Sequence, residues 1–164
     1  MLRTMVGFLV QSSELVRLQC RLRIRLAHFQ PEAITDPHIT IAQIPGGESL
    51  THLMDVMEDI RHIPATYKAG GFEVFHGCET NPYDYVVLKL DPAACCCEVT
   101  EEIAEQVEIK EIPGYKPHIS LFRVPKGSKI DIQSLLFEPF EIKPSGVGLW
   151  NCQFQLIHLL PLSA

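Results

Sequence analysis

The sequence of 164 residues lacks several patterns that would fix its chemistry at once. No C-x-x-C pair occurs. Cys95-Cys96-Cys97 is contiguous and Cys20, Cys78 and Cys152 stand alone, so the ligand spacing of a zinc site is missing. The cysteines read instead as reduced and mostly buried. No glycine-rich loop follows a strand, so neither a nucleoside-triphosphate fold nor ATP-dependent ligation finds support. No apolar run approaches the ~20 residues that span a bilayer. Basic residues are in deficit, 14 Lys and Arg against 20 Asp and Glu, for a net charge of −6. That balance argues against a broad basic surface for a long duplex nucleic acid, and leaves room for a small anionic ligand in a locally positive cleft. No linker or low-complexity tract divides the chain, and its length suits one domain over residues 1–164 with a sizeable core. Its 46% hydrophobic and 21% charged residues are those of a soluble globular protein. The opening stretch, Met1 to Val10, lacks a small-residue cleavage site and reads as a first strand, so a cytoplasmic protein is expected.

What is present is one long-range repeat. His38-Ile39-Thr40-Ile41 returns as His118-Ile119-Ser120-Leu121, and each copy is introduced by a proline, Pro37 and Pro117. Both copies read as strands, in which successive side chains point to opposite faces. His38 and Thr40 then project together, as do His118 and Ser120, while the aliphatic residues project the other way. Two such strands side by side put two imidazoles and two hydroxyls in one space. That set can move protons at a phosphodiester: one imidazole takes a proton from the attacking oxygen, and the other protonates the leaving oxygen. The hydroxyls can hydrogen-bond the phosphoryl oxygens.

Around the repeat, residues 4 to 10 read as a strand and Ser12 or Ser13 as the N-cap of a helix that turns Leu15, Leu18, Leu22 and Leu26 inward. Arg17, Arg21, Arg23 and Arg25 form its solvated face. The first motif strand spans about 34 to 44. A helix follows from Glu48 or Ser49, with Leu50, Leu53, Met57 and Ile60 in register and Pro64 closing it. Strands are expected over 71 to 76 and 83 to 90. Asp91-Pro92 starts a helix reaching about Val107, with Val99, Ile103 and Val107 inward and Glu101, Glu102, Glu105 and Glu108 in water. Gly114 leads into the second motif strand, 115 to 124. Final strands lie over about 138 to 143 and 147 to 160, the last breaking near Asn151. Periodicity alone supports a mixed α/β chain with antiparallel pairs.

The paired motif resembles the His-x-Thr/Ser-hydrophobic signature of the two-histidine phosphoesterase superfamily. This superfamily includes RNA 2′-5′ ligase-like proteins, cyclic phosphodiesterases and enzymes that cleave cyclic oligonucleotide signals. The resemblance implies an α+β fold, with two small, mainly antiparallel sheets flanking a central cleft and helices outside. It also implies a phosphodiesterase that needs no metal or cofactor. Its substrate would be a nucleotide or short oligonucleotide with a phosphodiester at a ribose 2′ or 3′ oxygen. Membrane and long duplex nucleic acid are not expected partners, and a monomer is favoured.

The candidate catalytic residues are thus His38, Thr40, His118 and Ser120. The pattern leaves open which histidine is acid and which is base. Lys116, two residues before His118, shares its face and can hold an anionic oxygen. Asp36 occupies the equivalent place before His38, where it would repel a phosphate or orient the imidazole. Arg123 resembles the arginine that often follows the second motif of the family. Strict alternation puts it on the opposite face, so it reaches the cleft only if the strand twists or bulges. The first copy carries Gln43 instead. Tyr115, Phe8, Tyr83 and Tyr85 are candidates to stack on a base. His28, His52, His62, His76 and His158 read as structural or surface residues. Two rival functions use the same residues. One is a module that binds a nucleotide without turnover. The other is a structural protein whose two motif histidines lie far apart or buried against each other.

Overall fold

The computed structural model describes residues 3–91, 94–111 and 115–162, with the side chains of 94–96 set aside. In chain order the elements are β1 (Thr4–Leu9), α1 (Ser13–Arg25), β2 (Glu32–Ala33), β3 (His38–Ile44), α2 (Leu50–Glu58), β4 (Tyr67–His76) and β5 (Tyr83–Asp91). They continue with α3 (Ala94–Ala104), β6 (His118–Pro125), β7 (Glu141–Ile142), β8 (Gly146–Asn151) and β9 (Leu156–Pro161). Short 3₁₀ turns occupy Ala27–Phe29 and Ile132–Ser134.

The strands run in the order β7-β4-β5-β6-β3-β1-β8-β9, with β2 on the flank of β6. Each of these pairings is antiparallel. The expected two small sheets are the two halves of this order, each with one motif strand at its inner edge. They join at the β3–β6 seam, where Ile39 pairs with Ile119. The halves are not consecutive in sequence, because β8 and β9 return to flank β1.

One face of the sheet carries the helices. Leu15, Leu18 and Leu22 of α1, Leu53, Val56 and Met57 of α2, and Val99 and Ile103 of α3 share a core with Val6, Phe8, Ile39, Ile119 and Leu121. The opposite face holds a smaller cluster of Met5, Leu9 and Trp150. Local chemistry explains the helix starts. The Ser12 hydroxyl accepts from the Leu15 amide at 3.4 Å and the Ser49 hydroxyl from His52 at 3.1 Å, each satisfying an otherwise orphaned donor.

Several boundaries depart from the sequence reading. The first motif strand starts at His38, because Asp36 adopts a left-handed conformation, φ 49°, that interrupts an extended run from residue 34. β4 begins at Tyr67, with its register shifting at Gly70–Gly71, where Gly71 has φ 122°. α3 ends at Ala104, although Val99, Ile103 and Val107 are buried as expected. Leu50 is half exposed and not part of the core. Glu102 is not simply solvated: its carboxylate accepts from the Arg61 and His62 amides and from the His62 ring, tying α3 to the segment that follows α2. The last expected strand breaks at Asn151 into β8 and β9. Pro92 and Gly114 lie outside the described residues.

The cysteine reading needs correction. Cys20, Cys78, Cys97 and Cys152 are exposed and in no disulfide, because they fall on helix faces turned to water or in turns. The side chains of Cys95 and Cys96 lie outside the described residues. Among the described residues no helix is long and apolar enough to cross a membrane.

Candidate active site

The Ile39–Ile119 pair determines what meets at the seam. In an antiparallel register, fixing that pair sets His38 opposite Ser120 and Thr40 opposite His118. The two aliphatic side chains enter the helix-side core, so the histidines and hydroxyls fall on the other face. All four line one cleft of about 1470 Å³. The structural-protein alternative, with the histidines apart or buried on each other, is thereby removed.

Each imidazole is held in the same way. The His38 Nδ1 lies 3.1 Å from the Asp36 carbonyl, and the His118 Nδ1 lies 2.7 Å from the Lys116 carbonyl. A carbonyl can only accept, so both Nδ1 atoms carry hydrogen and both Nε2 atoms are left to exchange protons with a ligand. The intervening proline fixes the turn in each copy, and its own carbonyl is tied down too. Val10 donates to Pro37 at 3.0 Å and Leu90 to Pro117 at 3.1 Å. Asp36 thus acts on His38 through its backbone carbonyl as well as its charge, in a left-handed conformation that aspartate tolerates.

The rings have different neighbours. His38 is 8% exposed and stacks on the fully buried Trp150, centroids 4.1 Å apart and planes 22° from parallel. His118 meets the edge of Phe75 at 4.6 Å and lies 6.0 Å from Tyr115. Burial pushes the pKa of both imidazoles below the ordinary value of 6.5. For His38 the Asp36 carbonyl opposes that shift and the charge of His118 adds to it. For His118 the Lys116 carbonyl and the charge of Glu73 oppose it. A first proton on the pair therefore disfavours a second.

Thr40 and Ser120 are half buried on the cleft wall. Among the described residues neither hydroxyl has a hydrogen-bond partner, which leaves both as donors to a ligand. Lys116 also lines the cleft, and its ammonium stands 3.8 Å from the Glu73 carboxylate. The Tyr115 hydroxyl donates to the Thr40 carbonyl and ties the two motif segments together.

Arg123 does reach the cleft, and the cause is a bulge. Opposite Val86 and Val87 of β5 stand Phe122 and Ser120, so Leu121 is an extra residue that shifts the phase of β6. The first motif slips at the same place: Val6 and Gly7 face Ala42 and Thr40, with Ile41 extra. Gln43 and Arg123 consequently occupy matching places on the cleft face. The Arg123 guanidinium lies 4.5 Å over the Tyr83 ring and is paired with Glu32 on β2, which raises its pKa further.

Phe8 is misplaced by the sequence reading. It is fully buried in the helix-side core, 6.4 Å from the Tyr67 ring, and cannot stack on a ligand. Alternation along β1 gives the cleft face to Met5, Gly7 and Leu9, and from Met5 to Leu9 no polar residue distinguishes the two faces. The reading also missed Trp150, Phe75, Glu32, Glu73 and the β8–β9 turn. The cleft is not net positive either. The charged groups lining it are Glu32, Asp36, Lys116 and Arg123, two of each sign. Among the described residues no cluster of His, Cys, Asp and Glu is arranged to hold a metal ion.

No family model and no curated protein matches this sequence. Solved structures do match by shape. Usb1 of Kluyveromyces marxianus is 10% identical, with 98% of each chain covered and a TM-score of 0.62. Protein TT0787 of Thermus thermophilus is 15% identical, covering 98% of this chain and 97% of that one, with a TM-score of 0.64. LigT of Escherichia coli, solved with 3′-AMP, is 13% identical over 99% of this chain and 95% of that one, with a TM-score of 0.62. The fold is that of the two-histidine phosphoesterases. At these identities the likeness shows the fold alone. Within that two-histidine phosphoesterase fold, this chain sets its own repeated motifs either side of the seam.

Proposed function

We propose that this protein is a metal-independent phosphodiesterase acting at a ribose 2′ or 3′ oxygen of a ribonucleotide. Candidate substrates are nucleoside 2′,3′-cyclic phosphates, 2′-5′-linked oligonucleotides and cyclic oligonucleotide signals. The observation that carries the reading is the matched pair of Nδ1–carbonyl hydrogen bonds. It holds both imidazoles in the tautomer whose Nε2 is available on the cleft side of the seam.

With one proton on the pair, the neutral Nε2 removes the proton of the attacking water or hydroxyl as its oxygen bonds to phosphorus. The protonated Nε2 gives its proton to the ribose oxygen as the P–O bond breaks. Thr40 and Ser120 donate hydrogen bonds to the non-bridging oxygens as charge gathers there. Proteins of this fold have been solved with nucleotides, Usb1 with uridine monophosphate and LigT with 3′-AMP, which supports a nucleotide in this cleft. The rival reading, a module that holds a nucleotide without cleaving it, uses the same contacts.

A substrate panel in the presence of chelator separates the two. Wild-type protein and His38→Ala/His118→Ala are incubated with nucleoside 2′,3′-cyclic phosphates, 2′-5′ oligoadenylates and cyclic dinucleotides, and products are read by mass. Cleavage of one class by wild type alone is expected. Binding without cleavage across the panel would establish the rival.

A further inference from the structure

The cleft has an apolar surface on each lobe. On the His38 lobe the obvious ring, Trp150, is fully buried beneath the imidazole and is closed to a ligand. The ring left open on that lobe is Phe154, in the turn between β8 and β9. It is 50% exposed, and Ile157 at the start of β9 is 46% exposed; both line the cleft.

Phe154 is held there against two costs. Its φ of 60° is left-handed, which a residue with a side chain rarely adopts, and its ring faces water. Asn151 keeps the turn in this shape. Its Oδ1 accepts from the amides of Gln153 at 2.9 Å and Gln155 at 3.0 Å, and its Nδ2 donates to the Gln155 side chain at 2.9 Å. An aromatic face fixed in this way is what a nucleobase stacks on.

The other lobe already offers aromatic surface, from Tyr83 and Tyr85 and from Phe75 and Tyr115 beside His118. Charge narrows the ligand further. The two acids and two bases of the lining offset one another, so the cleft suits a ligand whose charge is its single phosphodiester.

We propose that Phe154 stacks a nucleobase on the His38 side of the scissile phosphate, so that the cleft takes a phosphodiester with a nucleoside on both sides in preference to a nucleoside 2′,3′-cyclic phosphate. The assignment rests on the phosphodiesterase reading for its placement of the phosphate. It is tested by calorimetric titration of His38→Ala/His118→Ala protein, with and without Phe154→Ala or Phe154→Tyr. The probes are a 2′-5′-linked diadenosine monophosphate and adenosine 2′,3′-cyclic phosphate. Phe154→Ala should lower the preference for the dinucleotide, read as the ratio of the two Kd values, about tenfold, and Phe154→Tyr should restore it. An unchanged ratio, or a dinucleotide that fails to bind, overturns the assignment. Turnover of both probes by wild type is measured in parallel. A shifted ratio without any cleavage would sink the catalytic reading and leave the stacking site standing, whereas cleavage with an unshifted ratio would do the reverse.

Discussion

Ile39 pairs with Ile119 across the seam of the sheet, and both side chains are fully buried on the helix side. Every catalytic contact inferred for this protein depends on that register. A slip of one residue in either strand would send its histidine into the core and its isoleucine into the cleft.

The seam is therefore expected to be sensitive to packing. Ile119→Ala removes a buried branched side chain where two lobes meet, and should cost about 2–5 kcal/mol. Urea unfolding followed by circular dichroism measures this. A loss under about 1 kcal/mol would show that the lobes do not rely on this contact.

The histidines are expected to matter to rate far more than to fold. His38→Ala and His118→Ala should each reduce kcat/KM about 10²–10⁴-fold, the usual loss when one acid or base is removed. Thermal unfolding of the same samples checks that each variant is folded. If either variant kept full activity, the chemistry would lie elsewhere.

The pH dependence follows from burial. Burial holds both imidazole pKa values below 6.5 in the folded protein, and the proposed mechanism needs one proton between them. The pH profile of kcat/KM should therefore be bell-shaped, with its maximum below pH 6.5, and activity should fall as pH rises through neutrality. Stability has the opposite slope. Below about pH 6.5 the unfolded chain binds protons that the folded imidazoles resist, so these two groups make stability decline as pH falls from there towards their folded pKa values. Urea midpoints from pH 7.5 to 5 should show this in wild type, with a shallower decline in His38→Ala/His118→Ala.

The repeat made the pairing of His38 and His118 legible, and the same two segments recorded more than strict alternation could extract. Polar side chains fall at 38, 40 and 43 in one copy and at 118, 120 and 123 in the other, a spacing of two and then three. The adjacent apolar pairs Ile41-Ala42 and Leu121-Phe122 absorb the phase slip by bulging, which brings Gln43 and Arg123 into the cleft. β1 offered no such mark. From Met5 to Leu9 its residues are apolar on both faces, so only the pairing with β3 and β8 distinguishes Phe8 from Met5. Glu32 and Trp150 come to Arg123 and His38 from strands far away in sequence, and no local pattern encodes those meetings.

Trp150 owes its place to two glycines. A Cβ on Gly148 would lie 2.4 Å from the indole ring and 3.0 Å from Leu156, and one on Gly7 would lie 2.6 Å from the Ile39 carbonyl and 3.3 Å from the indole. The edge of the indole thus fits against bare backbone at these two positions, and His38 stacks on the same ring. Gly148→Ala should force the ring outward, costing about 1–3 kcal/mol as overpacking. Because the indole is the platform for His38, the displacement should also misplace Nε2 and reduce kcat by an order of magnitude or more, since about 1 Å of misalignment can cost ~10²-fold. The chain has a single tryptophan, so a shift in its fluorescence reports the ring movement directly. A variant with altered fluorescence and unchanged kcat would show that the stack is packing alone and does not position the imidazole.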